Sequence, residues 1–213
     1  MHPAAATYQA LLGRLDRWFA GARAQHGDSI PCRSGCTACC HGPFDITAAD
    51  ALLLRETIRA LPAGTRAGIL ARAERLLDRI RAEAPGWESP YDVADLGEDR
   101  FDELALALHD APCPLLSAEG RCEAYDGRPL VCRMIGLPMI TAGGLLLENA
   151  CPIQEQFPAY ASLDPVPFDL EALEAEEQAC LEAAALALHG RPDAAPPETI
   201  IAAVAADAVR GDA

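Results

Sequence analysis

The sequence predicts a mainly helical α+β fold, in which amphipathic helices flank a small irregular centre with short strands or hairpins. Apolar residues recur every three or four positions near both ends of the chain, as in helices that pack on a core. Between them, residues 113–151 are rich in Pro and Gly, which favours short strands joined by turns. The 213 residues suffice for one domain with a buried core, or for a domain with a helical appendage.

Three amphipathic helices are predicted in the first part of the chain. The first spans about Thr7 to Gln25, where leucines and aromatic residues have helical spacing. The second begins after Thr47, which forms a capping signal with the acidic residue three positions later, and ends at Leu61 before a Pro-Ala-Gly turn. The third has apolar residues at helical spacing from 69 to 80, with arginines at many of the other positions, and it ends by Pro85.

The middle of the chain is predicted to be less regular. Residues 85–99 are expected to form a loop, because Pro, Gly, Ser and Asp follow one another closely there. Residues 101–109 have the pattern of a short helix. Residues 139–141 and 145–148 flank a pair of glycines, and this arrangement predicts a hairpin.

Two further helices are predicted at the carboxyl-terminal end. One extends from the expected cap Asp169 to Gly190. The other begins at one of the two prolines at 196 and 197 and ends at Val209. This organisation predicts two parts: a cysteine-cluster domain with the N-terminal helices at residues 1–165, and a C-terminal helical extension packed on it at residues 166–213.

Charge and hydropathy disfavour several classes of protein. The chain has 32 acidic residues against 17 basic ones, all of them arginine, and its formal net charge is -15. This charge repels phosphate groups, so binding of nucleic acid is disfavoured. No apolar run approaches the roughly 18 residues of a membrane span, and the first residues lack the apolar core of a signal peptide. We therefore expect a cytoplasmic protein with no membrane partner, and the sequence identifies no protein partner.

Cysteine is unusually frequent for a chain expected in a reducing compartment. Cysteines there are more often metal ligands or redox groups than members of disulfides. Eight of the nine lie in two clusters rich in Gly and Pro, whose short spacings hold sulfurs together and whose long spacings connect distant segments. We predict that these eight bind metal: Cys32, Cys36, Cys39, Cys40, Cys113, Cys122, Cys132 and Cys151.

The spacing within the first cluster limits how its cysteines can bind. A helix would spread the four sulfurs over roughly 12 Å, whereas a loop at Gly35 would let them surround a single centre. The side chains of the adjacent Cys39 and Cys40 tend to diverge, so the pair is either divided between two centres or serves a multinuclear cluster. The ninth thiol, Cys180, lies on the apolar stripe of a predicted helix and is expected to pack in the core.

Two arginines next to the second cluster can interact with bound thiolates. Four thiolates on a divalent ion leave a net charge near -2, which Arg128 and Arg133 could offset through N–H donors to sulfur. The alternative is a surface ion pair with Asp126 or Glu123. Tyr125 is either a hydrogen-bond partner beside the same metal site or a packed core residue.

These residues resemble the CxxCxxCC cysteine-cluster family, also called the YkgJ family, of zinc- or iron-chelating proteins. The resemblance covers roughly Pro31 to Pro152, and the first cluster has three residues in the gap where the family name indicates two. It implies metal binding through eight cysteines, and the family also includes proteins named as flagellin lysine methylases and Fe–S oxidoreductases. The family stretch C-x-x-Y-x-x-R-P-x-x-C-R is matched by Cys122, Tyr125, Arg128, Pro129, Cys132 and Arg133.

The predicted function is chelation of zinc or iron, or of an iron–sulfur cluster, by the eight cysteines, and no catalytic residue is assigned. The alternative is an iron–sulfur-dependent enzyme, either an oxidoreductase or a protein-modifying, methyltransferase-like protein. Cys32, Cys36 and Cys39 have the spacing found in radical S-adenosylmethionine enzymes, but the βα repeats of their barrel are missing from the sequence. A dithiol oxidoreductase using Cys36 and Cys39 would be expected within a βαβ pattern, which the sequence also lacks.

Overall fold

A computed structural model describes residues 1–30, 32, 35–147, 151–190 and 198–211. The helices are α1 (Pro3–His26), α2 (Ala48–Ala60), α3 (Ala63–Glu83), α4 (Val93–Leu96), α5 (Glu98–Ala107), α6 (Leu130–Met134), α7 (Pro158–Ala161), α8 (Leu170–His189) and α9 (Ile201–Arg210). The strands are β1 (Asp45–Ile46), β2 (Met139–Ile140), β3 (Leu146–Leu147), β4 (Val166–Pro167) and β5 (Thr199–Ile200). Single 3-10 turns occur at Gly27–Ser29, Tyr125–Gly127 and Gln154–Gln156. The prediction of a mainly helical α+β fold is confirmed.

Helix α1 extends beyond both predicted ends. It begins at Pro3, which suits a first helical turn because the N–H that proline lacks would have no partner there. The side chain of His2 accepts a hydrogen bond from Ala4 N (3.2 Å), and Gly27 follows the helix with a φ of 54°. The buried face of α1, which packs against α2 and α8, includes Tyr8, Leu11, Leu12 and Leu15.

Helix α8 has the two ends that the sequence predicts. Asp169 Oδ1 accepts a hydrogen bond from Ala172 N (3.0 Å), and Gly190 adopts the left-handed conformation that ends many helices. Cys180 lies on the face of α8 that packs against α1 and α2, and it is 5% exposed. This thiol therefore packs in the core, as the apolar stripe predicts.

Helices α2, α3 and α9 form the largest part of the core. Thr47 caps α2 as predicted, since its Oγ1 accepts a hydrogen bond from Asp50 N (3.2 Å). Helix α9 packs against both α2 and α3. It begins directly after β5, and the prolines predicted to start it lie outside the described residues. The division of the chain at residue 165 stays a prediction.

The predicted loop at residues 85–99 is wrong in part, because it contains one helix and the start of another. Helix α4 follows Asp92, whose carboxylate accepts a backbone hydrogen bond (3.0 Å) in the first turn. Helix α5 begins at Glu98 rather than Phe101, since acidic residues in its first turn suit the positive end of the helix dipole. A helix as short as α4 leaves no periodic pattern that the sequence could reveal.

Two small sheets connect distant segments. Strands β1 and β5 pair in antiparallel fashion. Strands β2 and β3 form the predicted hairpin, with Met139 opposite Leu147, while Glu148 lies outside the described residues. Strand β4 joins β2 in parallel. In the part of the chain that the structure describes, no helix combines the length and apolar character needed to cross a membrane.

Candidate metal centre

The first cysteine cluster lies on a loop between α1 and β1. Gly35 has a φ of 85°, a conformation that glycine adopts readily. Cys40 N donates a hydrogen bond to Thr37 O (2.9 Å), which closes a turn. None of the described residues from 32 to 40 is helical, so the loop alternative is the one that this chain adopts.

Backbone pairing brings the start of the second cluster to the end of the first. Cys113 N donates a hydrogen bond to Cys40 O (2.9 Å). Leu116 then pairs across an isolated β-bridge with Cys122, so the chain turns back on itself within a few residues. Main-chain contacts therefore hold three of the predicted ligands in one region before any metal is considered.

Cys32, Cys36, Cys39 and Cys151 form a first set of neighbouring thiols. Burial raises the pKa of Cys32 to about 11, and the charges of the other three thiolates contribute to the increase. Burial also raises the pKa of Cys151, with smaller contributions from Cys36 and Cys39. Such effects arise between charges that lie close together. Cys32 Sγ also lies against Gly136, where an added Cβ would clash with the sulfur.

Cys40, Cys113, Cys122 and Cys132 form a second set. Burial raises the pKa of Cys113, and the charges of Cys132 and Cys122 raise it further. Burial raises the pKa of Cys132 to about 12, with contributions from Asp50 and from Cys122. Burial is also the main cause of the raised pKa of Cys122.

The two sets meet at the adjacent pair Cys39 and Cys40. An interaction between the neighbouring side chains of Cys39 and Cys40 lowers the pKa of Cys40 and raises that of Cys39. The thiolate charges that oppose the lowering of the Cys40 pKa belong to other members of the second set. The thiolate charges that help to raise the pKa of Cys151 belong to the first set. Cys132 is also influenced by Cys39, so the two sets adjoin. This arrangement favours division of the pair between two centres.

In the described part of the chain, the neighbouring thiols do not form a preorganised metal-binding geometry. Among the residues that the structure describes, no three or more side chains of His, Cys, Asp or Glu have the geometry needed to hold a metal ion. All nine cysteines are free thiols, so none of the predicted ligands is part of a disulfide.

Arg133 is buried and pairs with a partner that the sequence did not suggest. Its guanidinium forms an ion pair with Asp16 of α1, not with Asp126 or Glu123. Glu123 pairs instead with Arg72. The charge of Arg133 still lowers the pKa of Cys122, although burial keeps that pKa raised overall.

Arg128 contacts the ring of Tyr125, and its charge acts on several thiols. Its guanidinium carbon is 4.7 Å from the centre of the Tyr125 ring, which is a cation–π arrangement. Its Nε is buried and has no hydrogen-bond partner among the residues that the structure describes. The positive charge of Arg128 acts on both sets, since it opposes the raised pKa values of Cys39 and Cys132. Tyr125 is 55% exposed and is therefore not a packed core residue.

Asp50 connects three helices near the second set. It is 3% exposed, and its Oδ1 accepts hydrogen bonds from Tyr8 Oη (3.0 Å) and from Leu130 N (2.9 Å) at the start of α6. Burial raises the pKa of Asp50 to about 6. Glu177 of α8 faces Asp50, and burial raises its pKa as well. A carboxyl group thus links α1 and α2 to the short helix that contains Cys132.

The raised pKa of Asp50 predicts a pH-dependent contribution to stability. Below its ordinary pKa of 3.8, Asp50 is protonated in both the folded and the unfolded chain. As the pH rises to about 6, the unfolded chain ionises first, so the folded state loses about 3 kcal/mol of stability. Asp50→Asn keeps the Oδ1 acceptor and should remove this loss. Urea unfolding at pH 4 and pH 7 measures the effect, and an equal change with pH in both proteins would contradict it.

The cysteine-containing part of the chain matches the model of the CxxCxxCC family over residues 31–180, and this family is described as a "Putative zinc- or iron-chelating domain". The chain belongs to the CxxCxxCC family. The CxxCxxCC region contains all nine cysteines, and α1 and α9 lie outside it. No curated protein and no solved structure matches the chain.

Two carboxylates from elsewhere in the fold support the CxxCxxCC motif, and the motif itself gives no indication of them. In the sequence, Asp16 is an acidic residue within an otherwise apolar segment of α1, and Asp50 fits the capping pattern that begins at Thr47. Their partners lie 117 and 80 residues away, at Arg133 and Leu130. A carboxylate on the apolar face of a predicted helix is the one signal that could have identified them, since such a group needs a buried partner.

Proposed function

We propose that this CxxCxxCC protein binds zinc or iron through two adjoining sets of four cysteine thiols. The observation that carries the proposal is that the loop joins Cys40 to Cys113 through a backbone hydrogen bond, while the charge of the adjacent Cys39 acts on Cys32 and Cys151. Four thiols match the ligand number of structural zinc and of an iron–sulfur cluster held by cysteine. The family description names the same two metals.

The chemistry of the donor groups supports this choice of metals. Thiolate sulfur is a soft ligand that suits zinc and iron–sulfur clusters, whereas carboxylate and carbonyl oxygens suit magnesium and calcium. Burial and mutual repulsion raise the pKa of most of the thiols, so the metal-free sites hold protons. A bound cation would release these protons and replace repulsion between thiolates by attraction to the ion. In this proposal the cation draws the sulfurs to about 2.3 Å from itself.

We place the protein in the cytoplasm, where thiols stay reduced and available for metal. We assign no catalytic residue, and the metal has a structural role in this proposal. A metal that connects the loop at residues 35–40 to residues 113–132 would hold together the least regular part of the fold.

Metal content and colour test the proposed function. The full chain is purified without oxygen, and its zinc, iron and acid-labile sulfide are measured per chain. Two zinc ions in a colourless protein would support structural zinc sites. A brown protein with iron, sulfide and absorbance at about 400 nm would support iron–sulfur binding. A protein that contains neither metal, and that binds neither Zn²⁺ nor Fe²⁺ in a reducing titration, would contradict the proposal.

Arg128 is the residue that we expect to offset the thiolate charge. Its charge acts on both sets, and its buried Nε has no hydrogen-bond partner in the described part of the chain. Arg128→Ala should therefore lower metal affinity by about 10- to 100-fold. Arg128→Lys should restore only part of it, because an ammonium group keeps the charge but lacks the planar set of donors.

A competition titration with a chromophoric chelator measures this change in affinity. Arg210→Ala is the matched control, since it removes an arginine of α9 that forms an exposed ion pair with Glu74 of α3. If Arg128→Ala and Arg210→Ala both bound metal as tightly as the unmodified chain, Arg128 would have no role in the centre.

A further inference from the structure

The buried side chain of Arg133 organises the backbone beside the second set of thiols. Its Nε donates a hydrogen bond to Arg128 O (2.7 Å), and its Nη2 donates to Asp126 O (3.1 Å) and Tyr125 O (3.4 Å). These bonds attach the 3-10 turn at Tyr125–Gly127 to α6. Arg133 therefore fixes the position of the peptide group of Arg128 relative to the helix that contains Cys132.

Helix α6 depends on such external contacts. It has five residues, and so few residues do not form a stable helix by themselves in water. Leu130 N, in its first turn, is held by Asp50, and the side chain of Arg133 holds its other end. Cys132 lies between these two attachments, so they determine where its sulfur is presented.

Both attachments lead back to α1. Asp50 is held by Tyr8 of α1 through a hydrogen bond to Oδ1. Arg133 is 4% exposed, and a buried guanidinium requires an opposite charge nearby. Within the described ranges the carboxylate that pairs with Arg133 is Asp16, which lies about two turns after Tyr8 on the same helix. Helix α1 precedes the CxxCxxCC region, so this support comes from outside the matched residues.

We propose that Asp16 is a positioning residue for the second set of thiols, because its ion pair with buried Arg133 fixes the helix that presents Cys132. This inference rests on the proposed metal-binding function. Asp16 does not contact the metal in this proposal. Asp16 acts through Arg133. In this way α1 influences the affinity of the second set of thiols for metal.

The test compares variants of the full chain that change one carboxylate on or next to α1. Asp16→Asn removes the charge with little change in size, and Asp16→Glu keeps the carboxylate. The matched control is Glu176→Gln, because Glu176 forms an exposed ion pair with Arg14 of α1. Hydrogen exchange of the amides of residues 131–134 is measured in the metal-free chain, and Co²⁺ is titrated in competition with a chelator while thiolate-to-cobalt absorbance is recorded.

We expect Asp16→Asn to speed exchange at these amides and to weaken binding of one of two Co²⁺ ions by about 10-fold. Its thiolate-to-cobalt absorbance should fall at subsaturating cobalt, Asp16→Glu should recover most of both effects, and Glu176→Gln should match the unmodified chain. Unchanged exchange or unchanged Co²⁺ affinity in Asp16→Asn would overturn the proposal. So would a uniform increase in exchange that extends to α2, α3 and α9, since this would mean a general loss of stability.

The same experiment separates this inference from the function on which it rests. If the unmodified chain bound no Co²⁺, Zn²⁺ or Fe²⁺, the proposed function would fail and the inference would fail with it. If the unmodified chain bound metal and Asp16→Asn bound it equally well, only the role of Asp16 would be wrong.

Discussion

Cys113→Ala is expected to lose one of two bound metal ions and to keep the other. Cys113 faces Cys132 and Cys122 of the second set, and its backbone is bonded to Cys40. Removing this thiol should therefore empty one site while the first set stays complete. Cys151→Ala should have the complementary effect, because its neighbours are thiols of the first set. Elemental analysis of metal per chain, on protein purified without oxygen, measures both changes.

Cys180→Ala is the control for this pair of variants. Like Cys113 and Cys151, Cys180 is a buried cysteine, but it lies in the core between α1, α2 and α8. Cys180→Ala should therefore keep both metal ions and lose only a modest packing contribution to its stability. Loss of all metal from both Cys113→Ala and Cys151→Ala would instead favour a single multinuclear cluster. Loss of metal from Cys180→Ala would show that the ligand set is wrong.

Removal of the metal is expected to lower the melting temperature by roughly 10 °C or more. Structural zinc contributes about 10 to 16 kcal/mol in small peptides, and a loss of 1 kcal/mol lowers the melting temperature of a chain of this size by about 2 to 4 °C. Even a third of the zinc contribution would therefore be easy to detect. Without the ion, the raised pKa values keep thiols protonated, and little regular structure holds the cysteine loop.

Removal of the metal should also reduce protection from hydrogen exchange locally, around the cysteines. Hydrogen exchange after treatment with a strong chelator should increase at residues 35–42 and 113–122, while the core of α2, α3 and α9 keeps most of its protection. Addition of Zn²⁺, or reconstitution with iron and sulfide, should restore the original pattern. An unchanged melting temperature and exchange pattern in protein shown to be free of metal would mean that the metal is not part of the fold.

The helices whose positions were predicted correctly have clear capping residues or a regular apolar face in the sequence. Helices α2 and α8 have capping side chains at Thr47 and Asp169, and α3 has a regular apolar face, so neighbouring residues are enough to predict them. The hairpin of β2 and β3 was likewise indicated by its glycine pair. The pairing of β1 with β5 gave no such signal, because two-residue strands are too short for alternation and Asp45 pairs with Ile200 far along the chain.

By itself, the sequence determined the fold class and the eight cysteines proposed as ligands, since periodicity and spacing are properties of nearby residues, and the resemblance of its cysteine motif indicated the CxxCxxCC family. The tertiary structure alone decided that the backbone of Cys113 bonds to that of Cys40, that Asp50 holds the start of α6, and that Arg133 pairs with Asp16. These facts depend on where segments separated by many residues come to lie after folding. Charge and hydrogen bonding act over a few ångströms in space, and distance along the chain does not reveal which groups will lie that close.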